Sequence, residues 1–454
     1  MARIHIHPLQ AYRQARHTGQ LQASPPAVLA GSFLVLILLG TALLSLPIAQ
    51  RQPFGVFEAL FTATSAVTVT GLMVVDPATD LSFFGQAVLL ALVQIGGIGF
   101  VTFAIIATLT LGKRVSLKYQ ALALEAFNQT SVARIRQTAV TVLKFSLAIE
   151  GAAILILTLW WWRHDSLEHA FLLAGFHAVS AFNNAGMSLF PGSLAAFSGD
   201  PVTTFVVTGC IILGGLGFSV LADIHQKRSW AALAYYTRLM LIGTLCLNLV
   251  GFAVFWLIEA RNPHTLGALP AASQGLAAWT QVVATRTAGF SSMDIGQLRD
   301  STNFLLAGLM FIGGGSLSTA SGIKLATFIV LLAVVRAYVL QRKEVVLMHR
   351  AIAPETIQKA LALMMVSGML VCLGIFLVSL FDEQPFIAVV VEVMSAFTTT
   401  GISHGLTDIL SRPSQAVLIL LMFVGRLGPL TLVYSLGTQR HSRVRYPETT
   451  LQIG

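Results

Sequence analysis

Four short segments, spread evenly along the chain, end in a small-polar turn closed by glycine. They read Ser65-Ala66-Val67-Thr68-Val69-Thr70-Gly71, Ser180-Ala181-Phe182-Asn183-Asn184-Ala185-Gly186, Val283-Ala284-Thr285-Arg286-Thr287-Ala288-Gly289 and Ser395-Ala396-Phe397-Thr398-Thr399-Thr400-Gly401. Successive glycines lie 115, 103 and 112 residues apart. Self-similarity at a fixed period signals repeated supersecondary units. Four such turns are what one chain needs to surround a single axis with four loops. Glycine suits the turn because it accepts positive φ and leaves backbone carbonyls free to face that axis, as ion filters require.

The surroundings of these turns are membrane-like. Charged residues make up 10% of the chain and hydrophobic residues 55%, with a mean hydropathy of +0.78. A soluble chain usually carries about a quarter charged residues. Eight apolar runs follow one another: Ala27–Pro47, Gly85–Leu111, Val140–Trp162, Pro201–Ala222, Tyr236–Ile258, Asn303–Val335, Ile357–Phe381 and Pro413–Gly437. Each reaches the ~20 residues that a helix needs to cross a bilayer core. Each glycine turn follows a half-length apolar stretch: Val56–Val67, Glu168–Phe182, Ala271–Ala284 and Pro385–Phe397. A helix of ten to fourteen residues spans only ~15–20 Å, so these segments suit re-entry from one face. Entering from outside, such a helix aims its partially negative C-terminus at the membrane centre, where a dehydrated cation would sit.

The expected fold is therefore an all-α membrane protein of four helix–pore-helix–helix repeats around one central pore. The boundaries are repeat 1 at 27–111, repeat 2 at 112–222, repeat 3 at 223–335 and repeat 4 at 336–437, with tails at 1–26 and 438–454. Segments 1–26, 112–139, 223–238, 336–359 and 438–454 hold 19 Lys and Arg against 5 acids, while the opposite side holds 5 Lys and Arg. By the positive-inside rule both termini are cytoplasmic. The net charge of +9 is then topology rather than a nucleic-acid surface, because no basic stripe is interleaved with aromatics. Cys210, Cys246 and Cys372 fall in apolar runs without metal spacing. The all-helical pattern excludes an outer-membrane barrel and places the chain in a cytoplasmic-type (inner) membrane, surrounded by lipid.

These residues resemble the Trk/Ktr/HKT superfamily of potassium transporters, over about residues 27–437. The most specific pieces are Thr68-Val69-Thr70-Gly71-Leu72, Ser180 to Gly186, Arg286-Thr287-Ala288-Gly289-Phe290 and Met422-Phe423-Val424-Gly425-Arg426-Leu427-Gly428-Pro429. One apolar run, rather than an extra pair, precedes the first turn, which favours the Ktr-type membrane subunit over a TrkH-like one. The resemblance implies potassium uptake through a channel-like pore. It implies a homodimer and a cytoplasmic KtrA-like ring of nucleotide-binding regulatory subunits, with sodium as an activator in some systems. It places potassium on backbone carbonyls of Thr68, Val69, Thr70 and Gly71; Asn183, Asn184, Ala185 and Gly186; Arg286, Thr287, Ala288 and Gly289; and Thr398, Thr399, Thr400 and Gly401. A glycine in all four turns goes with potassium preference in this family.

The third long run is broken at Gly313-Gly314-Gly315-Ser316-Leu317-Ser318-Thr319-Ala320-Ser321-Gly322, with Lys324 just after. The resemblance implies a flexible intramembrane loop obstructing the pore below the filter, with Arg426 near it. Leu317 and Ser321 depart from the richer Gly/Pro version of many relatives, and a structural helix kink is the competing reading. The other glycines that open crossings, Gly96-Gly97, Gly214-Gly215 and Gly425, read as packing sites.

Ionisable groups at membrane depth are costly and usually functional or paired. Arg286 is level with Thr68, Asn183 and Thr398 in its repeat. A cation in the path would repel potassium, so Arg286 is expected behind the filter, with Glu392 as partner. Glu58 reads as a helix N-terminal acid. His177 reads as a hydrogen-bonded structural residue rather than a ligand. Lys144 and Glu150 have no assigned role. An intramembrane enzyme would need a nucleophile or metal constellation, and none is visible. The chain encodes no ATP hydrolysis and no cofactor site of its own. A TrkH-like transporter or a cation-coupled symporter is the alternative to a Ktr-type pore.

Overall fold

The structure is a computed structural model that describes residues 25–99 and 132–428. Most of the N-terminal tail, the basic segment 112–131, Pro429 and the C-terminal tail lie outside the described residues. The described chain is predominantly helical: α1 (Pro25–Leu44), α2 (Val56–Val67), α3 (Phe83–Gly97), α4 (Val132–Trp161), α5 (Leu167–Phe182), α6 (Pro201–Leu216), α7 (Phe218–Lys227), α8 (Tyr235–Glu259), α9 (Ala271–Thr285), α10 (Asp300–Phe311), α11 (Leu325–Val339), α12 (Pro354–Phe381), α13 (Phe386–Thr398) and α14 (Arg412–Leu427). By length and composition, Val140–Trp161, Tyr235–Glu259 and Pro354–Phe381 can each cross a bilayer. The pair α6 and α7 qualifies as one further span if counted together.

Helix starts follow capping chemistry. The Ser82 hydroxyl accepts from the Gly85 N–H at 3.2 Å and the Ser166 hydroxyl from the His169 N–H at 3.3 Å. Asp200 accepts from the Val202 N–H at 2.9 Å, with Pro201 in the first helical turn, where its missing N–H costs nothing. Short helices α2, α5, α9 and α13 form on the half-length segments marked by the sequence. They are buried along most of their length toward the C-terminal end, as in α13 from Val391 to Thr398. Helices that are buried on most faces can be apolar all round. Phe61, Phe182, Phe290 and Phe397 are fully buried and fill the spaces around them.

Two apolar runs are not straight. Pro201–Ala222, read from sequence as one crossing, bends by 97° between α6 and α7. The bend sits at Gly217, with φ of +100°, and a methyl group there would lie 2.5 Å from the Ser316 carbonyl oxygen. Only glycine suits that combination. The run Asn303–Val335 breaks between α10 and α11, where a parallel bridge joins Ile312 to Ile323 across the intervening loop. Outside the membrane-length helices, a tight hairpin pairs β1 (Val346–Leu347) with β2 (Arg350–Ala351), and Tyr235 donates to the Leu347 carbonyl at 2.7 Å.

Candidate functional site: four glycine turns and an underlying loop

The turns that end α2, α5, α9 and α13 share a pattern of two positive-φ residues. In each, the residue two before the glycine is left-handed: Val69 (φ 56°), Asn184 (60°), Thr287 (64°) and Thr399 (49°). The glycines follow with φ of 90°, 64°, 75° and 92° at Gly71, Gly186, Gly289 and Gly401. A non-glycine residue held at positive φ is strained, and such strain clusters at functional sites. Each turn is closed by a hydrogen bond back to its helix. Thr70 N–H reaches Ser65 O, Ala185 N–H reaches Ser180 O and Thr400 N–H reaches Ser395 O, all at 2.8 Å; Gly289 N–H reaches Ala284 O at 3.0 Å.

The turns also close on one another. A methyl group on Gly71 would lie 2.2 Å from the Ala185 carbonyl oxygen, one on Gly186 2.5 Å from Ala288 O, one on Gly289 2.2 Å from Thr400 O, and one on Gly401 2.2 Å from Thr70 O. The contacts run from first turn to second, third, fourth and back to first: a ring. The carbonyls of residues 68–70, 183–185, 286–288 and 398–400 accept no hydrogen bond from the described residues. The residues themselves are buried, from fully enclosed Thr68, Thr70 and Thr400 to Arg286 at 8% exposure. Buried carbonyls without donors are rare, since each forfeits a hydrogen bond. Such a ring can accept a cation.

All four turns carry the same pair of positive-φ residues. The third, however, closes one residue later, from Gly289, with Arg286 at ψ 67° where Thr68 and Asn183 have −6° and −2°, and the side chains differ. In the first and fourth turns, hydroxyls latch together within the turn, Thr68 to Thr70 and Thr398 to Thr400, each at 2.8 Å. In the second and third turns alanine stands at the equivalent inner position, and the longer Asn183 and Arg286 reach away. Arg286 donates to Asn248 Oδ1 at 3.2 Å and to the Gly313 carbonyl at 3.1 Å. This corrects the expected pairing with Glu392. Glu392 instead accepts from the Ser403 hydroxyl, the His404 N–H at 3.0 Å, the Leu406 N–H at 3.3 Å and Thr407 Oγ1 at 3.0 Å. Donors from the returning loop satisfy that carboxylate fully. His177, level with Glu392, does the same work: its Nε2 meets Ser188 Oγ at 2.9 Å and its Nδ1 the Leu173 carbonyl at 2.8 Å. Glu58 lies in the first turn of α2 as expected and also pairs with Arg412, an ion pair sequence spacing could not reveal.

Residues 313–322 form a loop held from several sides. Gly315 N–H donates to Gly215 O at 2.8 Å, Thr319 N–H to Gly214 O at 3.3 Å and Phe218 N–H to Leu317 O at 3.0 Å. Thr319 Oγ1 lies 3.2 Å from both Phe182 O and Asn184 Oδ1, directly tying the loop to the second turn. Lys324 Nζ donates back to Ala320 O at 2.7 Å. Arg426 spans the gap, donating to Thr319 O and Ser321 Oγ on one side and to Gly96 O (2.7 Å) and Gly97 O (3.2 Å) on the other. Ser316 N–H donates to the Tyr236 hydroxyl at 2.9 Å and Ser318 Oγ to Gly315 O at 2.7 Å. Non-helical backbone between two apolar helices needs such partners, because lipid would offer none.

Three helix glycines seat the short helices against their neighbours. Methyl groups on Gly96, Gly214 and Gly425 would lie 2.0 Å from Val67 O, 1.9 Å from Phe182 O and 1.8 Å from Phe397 O. The expected packing role holds for these three. The third repeat lacks the contact: there the glycines enter the loop, and the Arg286 guanidinium takes up the Gly313 carbonyl.

The chain matches known proteins over most of its length. Residues 1–438 match the TrkH family, described as cation transport proteins, and the chain belongs to that family. Among its relatives is the Ktr system potassium uptake protein B of Bacillus subtilis, 44% identical over 94% of this chain and 96% of that protein. The protein of the same name from Vibrio alginolyticus is 39% identical over 94% of this chain and 95% of its own length. The crystal structure of the potassium transporter TrkH from Vibrio parahaemolyticus superposes with a TM-score of 0.70 at 19% identity, covering 93% of this chain and 86% of that one. At that identity the likeness concerns the fold.

Proposed function

We propose that this chain is the potassium-translocating membrane subunit of a Ktr-type uptake system, working as a channel-like pore. The observation that carries the reading is the closed ring of glycine-to-carbonyl contacts lined by carbonyls without donors. A potassium ion entering from outside sheds water and gains oxygens from residues 68–71, 183–186, 286–289 and 398–401. The C-terminal ends of α2, α5, α9 and α13 meet that ring, and their partial negative charge favours a cation. Carbonyl rings select by the number and field strength of their dipoles.

In this reading the chain makes eight crossings and four re-entrant helices around one pore, in a bacterial inner membrane with both termini cytoplasmic. The 19-against-5 balance of bases over acids in the segments assigned to the inside supports that orientation. Residues 313–322, with Lys324 and Arg426, act as a barrier beneath the filter that a cytoplasmic partner biases open. The names of the Bacillus and Vibrio relatives, which speak of a system, support a multi-component assembly. We assign the chain a homodimeric state and a KtrA-like nucleotide-binding ring as that partner.

The test is rescue of growth at limiting potassium in bacteria lacking their own uptake systems, with and without sodium and the regulatory subunit. Rescue that requires this chain supports the reading. A stably expressed chain that restores no potassium uptake under any of those conditions refutes it.

A further inference from the structure

Glu150 is the least explained charge in the molecule. It lies in the middle of α4, 4% exposed, within a helix of membrane-spanning length. Ionisable groups at that depth are expensive and demand a partner. Among the described residues its carboxylate forms no ion pair. Its partners are two amides. Gln94 Nε2 donates to both carboxylate oxygens at 3.1 Å, and Asn183 Nδ2 reaches Oε1 at 3.3 Å. Asn183 Nδ2 also donates to Gln94 Oε1 at 2.7 Å and to Val179 O at 2.9 Å. Three elements therefore meet at one point: α3, α4 and the residue that follows α5 into the second turn.

Asn183 occupies the position at which Thr68 and Thr398 latch their own turns through a hydroxyl pair. With alanine at 185, the second turn has no internal latch. Its equivalent comes from outside, from Gln94 and Glu150. The remaining acceptor, Asn183 Oδ1, has no partner among the described residues and lies against Gly97, where a methyl group would be 2.0 Å away. Gly97 O in turn accepts from Arg426, which holds Thr319, and Thr319 Oγ1 returns to Asn184 Oδ1. The carboxylate thus anchors a circuit that passes through the second turn and the underlying loop.

Resting on the potassium-pore reading above, we propose that Glu150, acting with Gln94 through Asn183, is a positioning residue that sets the cation preference of the second turn. The carboxylate touches no ion. It fixes the rotation of the Asn183 amide and so the direction of the backbone carbonyls from 183 to 185. Without it, Asn183 Nδ2 keeps the Val179 carbonyl and Gln94 Oε1, and the Gln94 amide loses both of its acceptors. The turn then relaxes toward a wider ring that holds the smaller, more tightly hydrated sodium ion nearly as well.

The full-length chain in proteoliposomes, assayed for potassium, rubidium and sodium flux, provides the test. The variants are Glu150→Ala, Glu150→Gln and Gln94→Met, the last keeping volume while removing the amide. Glu150→Ala and Gln94→Met are expected to lower the potassium-over-sodium preference at least about fivefold and to raise the KM for potassium, with maximal flux less affected. Glu150→Gln, which keeps one acceptor toward Gln94, is expected to recover part of the preference. Combining Glu150→Ala with Asn183→Ala is expected to add little beyond the larger single effect, because both break one unit. A folded Gln94→Met or Glu150→Ala protein with wild-type preference overturns the proposal, whatever its flux. Absence of potassium flux in the unsubstituted chain would instead overturn the pore reading on which it rests.

Discussion

Replacing Gly71 by serine probes the ring at its most constrained corner. The residue has φ of +90°, and its new Cβ would lie 2.2 Å from the Ala185 carbonyl oxygen. Left-handed backbone costs a residue with a side chain roughly 1–2 kcal/mol. Relief of the contact needs more than an ångström of movement toward ordinary carbon contact distances of about 3.5–4.0 Å. Overpacking of that kind costs about 1–3 kcal/mol. Together these give about 2–5 kcal/mol, and each 1.4 kcal/mol is about tenfold in a binding constant. If the strain falls on the ion-bound geometry, half-maximal uptake should require at least about tenfold more potassium, with discrimination against sodium reduced. Gly275→Ala is the control: it lies in α9, one of the short helices, and a methyl group there meets nothing within 4 Å. Uptake kinetics in potassium-uptake-deficient cells, with surface expression measured in parallel, compare the two. A well-expressed Gly71→Ser protein with unchanged potassium affinity and selectivity would show that the ring is not the filter.

Gly289→Ser should reproduce the Gly71→Ser defect, since its Cβ would meet Thr400 O at the same 2.2 Å; a benign Gly289→Ser in the uptake assay would break the ring argument. Thr68→Val removes a hydroxyl that pairs with Thr70 and also reaches the Thr64 carbonyl at 2.7 Å, and loss of these two buried hydrogen bonds should cost about 1–3 kcal/mol of stability in detergent unfolding. Arg286→Gln and Glu392→Gln, which share no partner, should add in a double-mutant cycle to within about 0.5 kcal/mol; strong coupling would contradict their separate networks. Deleting residues 316–319 removes the partners of Phe218 N–H and Gly214 O and one of the acceptors of Arg426, and should raise potassium flux and reduce its dependence on the regulatory subunit. Unchanged flux and dependence in a folded deletion variant would make the segment a structural kink.

Much of this architecture was readable in the chain because its signals are local. A half-length apolar stretch followed by a small-polar turn and glycine marks each of the short helices to within a residue or so. The break at Gly313–Gly322 is equally visible, because so few bulky side chains cannot sustain a helix. The bend at Gly217 was hidden. Hydropathy continues unbroken through it, and its cause is a close approach to Ser316, some hundred residues away. For Arg286, charge matching points to Glu392, whereas its partners are Asn248, one neutral residue in an apolar helix, and the Gly313 carbonyl. Glu150 escaped assignment for the same reason: its partners Gln94 and Asn183 are neutral and distant in sequence. Repetition can be read along a chain. The choice among long-range neutral partners is made only in three dimensions.

Closure of the fourth turn on the first, Gly401 against Thr70 O, has a consequence for how such a molecule can change. In an assembly of identical subunits, one codon alters every corner of the opening at once. Here each corner is encoded separately, so a substitution enters at one corner and strains its contact with the next, while the other three turns keep their own residues. The division into two self-latched and two externally braced turns is a difference that identical subunits could not maintain. On the pore reading proposed above, graded tuning of ion preference, corner by corner, is open to a single chain that bites its own tail.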